Sequence, residues 1–289
     1  MPNSRSRALQ RAPGGWLAGC VALAAISLTL PFAPLFDPWG WLVWGREITG
    51  LELDTSAGPS WKPLTALLAT VVAPLGDAAP DLWLLTARTA WLAVPVLAWR
   101  LAARLDGSDA GAPRAAAAGA LAAAGVVLVH DGFTSMTRQF TGGLSEPLLA
   151  ALVLGAVLAA LERRSALALG LAFGACLLRP EAWPFAAAYA WRELRAGRVA
   201  TAWVLAGAIA VPLLWFAPDL LAAGDALEGA GRAREGSGSP PVEALEVLGR
   251  ALLMPPALAW AGAALLVLAG GGRSVRVLAA GAAGWIALV

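Results

Sequence analysis

Histidine and cysteine are nearly missing: among 289 residues there is one histidine, His130, and there are two cysteines, Cys20 and Cys176, both inside apolar segments. A His/Cys metal cluster and a disulfide framework are therefore excluded. Charge is scarce as well. Only 14% of residues are charged and 59% are hydrophobic, with a mean hydropathy of +0.69. That argues against a soluble globule and points to a polytopic membrane protein. Neither a Gly-x-x-x-x-Gly-Lys loop nor a Gly-x-Gly-x-x-Gly turn after a strand occurs, which argues against nucleotide-driven transport and against a soluble sugar-nucleotide donor. No cofactor is expected, and a net charge of +2 gives no reason to expect a nucleic-acid partner. Tyrosine occurs once against 14 tryptophans, a bias that fits an interfacial belt for most of them.

What is present is a series of apolar runs separated by short charged loops. Residues 16–35 form the first span and are too long for a cleaved signal peptide, so they are read as a retained anchor. Further spans are expected at 81–105, 114–130, 147–161, 199–216 and within 242–268. Two shorter apolar runs, 167–178 and 182–191, flank Arg179-Pro180-Glu181. Half-length helices are tolerated at membrane depth where they line an enclosed or wet cavity. The fold class expected is all-α, a polytopic transmembrane bundle of about eight spans, with an incomplete last one after Arg276. Residues 1–289 are read as a single transmembrane domain, truncated at the C-terminus.

Charge sets the orientation. The loops assigned to the cytoplasm hold 13 of the 21 basic residues and 4 of the 19 acidic ones, leaving 8 basic and 15 acidic for all else. By the positive-inside rule the N-terminus is cytoplasmic, and residues 36–81, 130–146 and 217–250 face outward. An integral protein of the plasma membrane follows, with its sharpest motifs on the outer face.

The first external loop carries most of those motifs. Asp37-Pro38 reads as a helix start and Gly50 as its close. Trp41, Trp44 and Ile48 share one face of that helix and Arg46 the opposite one, the pattern of a helix lying in the membrane interface. A second short helix should run from Pro63 to about Gly76, too short to cross and so also along the surface. Elsewhere, ionisable groups in or beside spans are candidates because charge at membrane depth is costly: Arg88, Arg138, Glu146, Arg179 and Glu181. Arg88 reads as structural. Ser145-Glu146-Pro147 reads equally well as a helix start with Ser145 as cap. Arg179-Pro180-Glu181 is either a self-neutralising helix break or a cavity wall, and the paired short spans favour the wall.

The order Asp37, then Arg46-Glu47-Ile48, Gly50, Trp61-Lys62-Pro63-Leu64, Gly76 and Ala87-Arg88 resembles the first external loop of GT-C glycosyltransferases. The pattern is similar to that of the protein O-mannosyltransferases and of the aminoarabinose transferases that modify lipid A. The motif match covers about residues 30–105. The chain departs from the pattern in having Gly45 before Arg46, a single proline at Pro63, and Pro38 where a second acid is common. The resemblance implies an inverting glycosyltransferase that moves a sugar from a polyprenyl-phosphate donor to a hydroxyl on a glycan, lipid or protein. It implies Asp37 as general base, and Arg46 and Lys62, with Arg138 or Arg179, as holders of the donor phosphate. Glu47, Trp39, Trp61, Glu146 and Glu181 then line the substrate cavity, and no metal is assigned. The residues alone leave a second reading open, a non-catalytic transporter or scaffold for lipid-linked glycans.

Overall fold

The computed structural model describes residues 14–105, 138, 140–229 and 231, with the side chains of 102 and 103 excepted. The span expected at 114–130, His130 and the span within 242–268 lie outside them. The described residues are helical, with no strand among them. The chain divides into two compact units. One is Cys20–Leu92 with Arg138–Gly236; the other is Met1–Gly19, Ala93–Thr137 and Ser237–Val289. Everything that follows on packing and chemistry concerns the first.

Eight α-helices are described: α1 Gly15–Ser27, α2 Phe36–Gly50, α3 Pro63–Val72, α4 Ala79–Leu105, α5 Glu146–Leu161, α6 Ser165–Cys176, α7 Trp183–Arg195 and α8 Thr201–Ala222. Short 3₁₀ turns at Ala73–Ala78 and Pro180–Ala182 lead into α4 and α7. Among the described residues, two stretches are long and apolar enough to cross a membrane, Pro63–Leu101 and Thr201–Ala222. The first is not one continuous α-helix. Gly76, at φ 58° and ψ −121°, breaks it between α3 and α4, a backbone conformation that glycine alone adopts readily.

α1 ends at Ser27, eight residues short of the span expected over 16–35. Pro31 and Pro34 explain this, because a proline disfavours helix at the residue before it and lacks the N–H to continue one. α2 begins two residues earlier than expected. Its N-cap is Leu35, so Asp37 is not the cap but sits in the first turn. There its charge still complements the helix dipole. At the other end Gly50 is still helical and Leu51 takes the left-handed conformation at φ 60°. α8 continues through Pro218 to Ala222, beyond the expected end at Phe216, and leaves Ile209, Leu213 and Leu221 exposed.

α2 and α3 pack face to face. The seam works because Gly45 has no side chain: a Cβ there would lie 2.5 Å from the Ala69 carbonyl carbon. Small residues at a helix crossing let backbones approach this closely. Around the crossing, Trp41, Trp44, Trp61 and Trp83 are buried in one cluster with Leu42, Ala66 and Ala69. Trp41 meets Trp83 edge-on at 5.4 Å and Trp44 meets Trp61 at 5.2 Å. Several tryptophans are therefore core pins rather than belt residues. Trp44, Trp61, Trp83, Trp183 and Trp215 each donate their indole N–H to a backbone carbonyl, those of Trp183 and Trp215 both to Cys176 at the end of α6. Carbonyls freed where a helix stops need such partners.

Arg88 is structural, as its sequence context indicates, and it is buried with its guanidinium paired. Its guanidinium donates to the Ser27 carbonyl and hydroxyl and to the carbonyls of Phe140 and Thr141. It thereby ties the end of α1 to the segment that precedes α5.

Candidate functional site

Three helix starts and breaks converge on one cation, Lys62. The residue is extended (φ −137°, ψ 103°) because Pro63 follows it, and it forms the N-cap of α3. Its carbonyl accepts from the Thr65 hydroxyl at 2.8 Å, and the next amide, Leu64 N–H, donates to the Leu177 carbonyl where α6 ends. The backbone is thus fixed and the side chain turns inward. At 6% exposure its Nζ donates to Ser145 Oγ at 2.9 Å, lies 3.6 Å from Glu146 Oε1 and sits 5.1 Å above the Trp41 ring. Burial pulls the lysine below its ordinary pKa. Arg179 acts in the same direction, while Glu146 and, at longer range, Asp37 oppose it.

Ser145 and Glu146 begin α5. Ser145 holds the N-cap position expected of it, but its hydroxyl makes no capping bond and is taken by Lys62 instead. Glu146 is the first helical residue. Its Oε1 is shared between Lys62 and Arg179, whose Nη2 lies 3.4 Å away. Its Oε2 is buried and has no hydrogen-bond partner. Arg179 is held extended (φ −146°, ψ 124°) before Pro180, and two residues on Glu181 also has a buried carboxylate oxygen without a partner. So does the indole N–H of Trp41, under the lysine. A buried polar atom left unpaired costs ~1–3 kcal/mol, so the free Glu146 oxygen and the Trp41 N–H beside Lys62 leave hydrogen-bonding capacity at the cation pair.

Asp37 stands close by. The amide of Leu35 donates to the Gly142 carbonyl at 3.0 Å, which sets the first turn of α2 beside the segment leading into α5. Asp37 is half-buried there, and its charge acts on Lys62 through space. The structure therefore brings Lys62, Glu146 and Arg179 into contact, with Asp37 nearby and Glu181 two residues from Arg179. The other candidates are placed differently. Arg46 is exposed on α2, about 13 Å of helix rise beyond Asp37. Glu47 accepts from the Asp54 amide at 3.2 Å and closes the loop after α2. Arg138 is exposed, as is Trp39. Trp61 is buried against Trp44, with its indole N–H on the Leu214 carbonyl of α8.

Sequence reasoning missed Asp219. It is 3% exposed on α8, its Oδ2 accepts from the Gly229 amide at 2.9 Å, and its Oδ1 is buried without a partner. Gly229 in turn lies against Trp61, the residue before Lys62. An acid in an apolar run was the available signal. It was lost because the span was expected to end at Phe216, which put Asp219 in a loop.

Chemically, two fixed cations facing one carboxylate oxygen are an anion seat with an acid beside it. Among the described residues no group of three or more His, Cys, Asp or Glu could hold a metal ion. No protein-family model, curated protein or solved structure matches the chain.

Proposed function

We propose that this protein is a membrane glycosyltransferase that takes a sugar from a polyprenyl-phosphate carrier and gives it to a hydroxyl acceptor with inversion. One observation carries the reading: a buried lysine and an arginine at a break between two half-length helices meet on one anion position, beside a half-buried aspartate. The motif resemblance of residues 30–105 supports the same conclusion. In this reading the helices belong to a polytopic bundle of about eight spans. The N-terminus is cytoplasmic, the site is extracytoplasmic, and α2 and α3 lie along the interface.

The step divides the work between the two kinds of residue. The acceptor oxygen bonds to the anomeric carbon as its proton passes to the Asp37 carboxylate, and the bond from that carbon to the phosphate oxygen breaks. The electron pair leaves with the phosphate, where the fixed charges of Lys62 and Arg179 stabilise it. A second reading, a non-catalytic transporter or scaffold for lipid-linked glycans, draws on the place of Asp37 in the first turn of α2, where an acid already favours the helix.

Asp37→Asn separates the two. As general base its loss lowers sugar transfer by ~100- to 10,000-fold. As a first-turn acid it contributes ~0.3–1 kcal/mol of stability and transfer stays near full. Transfer is measured in membranes carrying the full protein at matched expression. Retention of activity rejects the catalytic assignment.

A further inference from the structure

The anion seat is already occupied by part of the protein. Glu146 places one oxygen on both cations, yet the contacts are long, 3.6 Å to Lys62 and 3.4 Å to Arg179, where charge-assisted bonds usually measure about 2.7–2.9 Å. Its other oxygen is buried with no partner. The side chain is nevertheless 40% exposed, which leaves it a way out toward solvent. Lys62 also donates to the Ser145 hydroxyl, a partner separate from the Glu146 carboxylate. Glu146 is thus held by charge and poorly satisfied otherwise.

The geometry points to Glu146 as an internal competitor for the phosphate seat, a carboxylate that occupies the position of a phosphate oxygen between Lys62 and Arg179 and must swing out when a phosphate enters. This rests on the reading of the cation pair as a phosphate site, and it adds a regulatory role for a residue of that site. The role is one of gating, since no bond is made or broken at Glu146. A competing occupant lowers apparent affinity by the fraction of protein it holds closed, so its removal tightens binding. The gain expected from neutralising one contacting charge is roughly fivefold to a hundredfold.

The test is binding of two probes, inorganic phosphate and farnesyl phosphate, to the full chain purified in detergent. Wild type, Glu146→Gln, Lys62→Ala and, as a carboxylate outside the site, Glu52→Gln are compared. Glu146→Gln should bind both probes at least fivefold more tightly, Lys62→Ala should bind both ~10- to 100-fold more weakly, and Glu52→Gln should match wild type. Tightening for inorganic phosphate alone supports the competitor and assigns the seat to a soluble anion rather than a lipid headgroup. If Lys62→Ala weakens binding while Glu146→Gln is unchanged or weaker, the phosphate site stands and the competitor is overturned. If no variant binds either probe, both fall. Should Glu146→Gln fail to fold, Glu146→Asp keeps the charge on a side chain one methylene shorter. It is expected to tighten binding by a smaller factor, and unchanged or weaker binding overturns the proposal.

Discussion

Two carboxylates in this protein each face two cations, and they are held in opposite ways. Glu193, near the end of α7, is 1% exposed and both its oxygens are used. It accepts from Ser165 Oγ at 2.6 Å, from Arg192 at 2.9 Å and from Arg198 at 2.6 and 2.8 Å, while the arginines themselves are half in solvent. Glu146 is held loosely. The acid and Arg179 are both part-exposed, the contacts are long, one carboxylate oxygen is orphaned, and the buried charge is Lys62. A fully satisfied network rigidifies, and here it ties the start of α6 to the end of α7. A loosely satisfied one around a buried cation leaves capacity for a ligand, which is why function is assigned to the second cluster and structure to the first.

The sharpest way to break this contrast is to remove one member from each cluster. Lys62→Ala should weaken phosphate binding by ~10- to 100-fold, the worth of a charge-assisted contact. It should leave thermal stability in detergent nearly unchanged. Glu193→Gln should do the reverse, costing ~1–3 kcal/mol of stability while phosphate affinity stays that of wild type. Matched losses of stability in the two variants would erase the distinction.

Acid and base titrate the clusters in opposite directions. Arg198 holds the Glu193 carboxyl down at about 2, from an ordinary value of 4.5. Its stabilising contribution is present above 4.5 and is lost as pH falls toward 2, which a pH series of melting temperatures would register. Lys62 is lowered by burial from 10.5, so its ammonium discharges before the ordinary lysine range is reached. Phosphate affinity should then fall as pH rises through that depressed value, below 10.5, without a matching loss of stability, because discharge relieves a buried charge. Affinity that holds to 10.5 would contradict the burial argument.

How much of this was legible in the sequence depends on whether the signal was local. The start of α3 at Pro63, the break at Gly76 and the paired short helices around Arg179-Pro180-Glu181 were readable, because proline and glycine act on their own neighbours. The early stop of α1 has a local cause in Pro31 that a count of apolar residues over 16–35 does not register. Lys62 and Arg179 were named separately, yet their meeting on Glu146 depends on contacts such as Leu64 to Leu177 that join segments over a hundred residues apart. The same holds for Ser145, whose cap position was read correctly while its hydroxyl was claimed by a lysine 83 residues away. Glu193 looked like one acid among cytoplasmic arginines, and only the fold shows it buried.

The serines offer the smallest effect. Ser165→Ala should cost ~1 kcal/mol of stability through the lost bond to Glu193, whereas Ser145→Ala should reduce phosphate affinity only a few-fold, since Lys62 keeps its charge. Melting curves and phosphate titrations on the pair check both.

The central claim is that the carrier's phosphate lies on Lys62 and Arg179. The most direct measurement uses a polyprenyl phosphate with a photoreactive group beside the phosphate, irradiated with the full protein in membranes, and maps the labelled peptides. The account predicts adducts within residues 60–64, 145–147 and 177–182 that are lost in Lys62→Ala and competed by unlabelled carrier. Adducts confined to exposed apolar residues of α8, such as Ile209 or Leu213, and indifferent to Lys62→Ala, would contradict it.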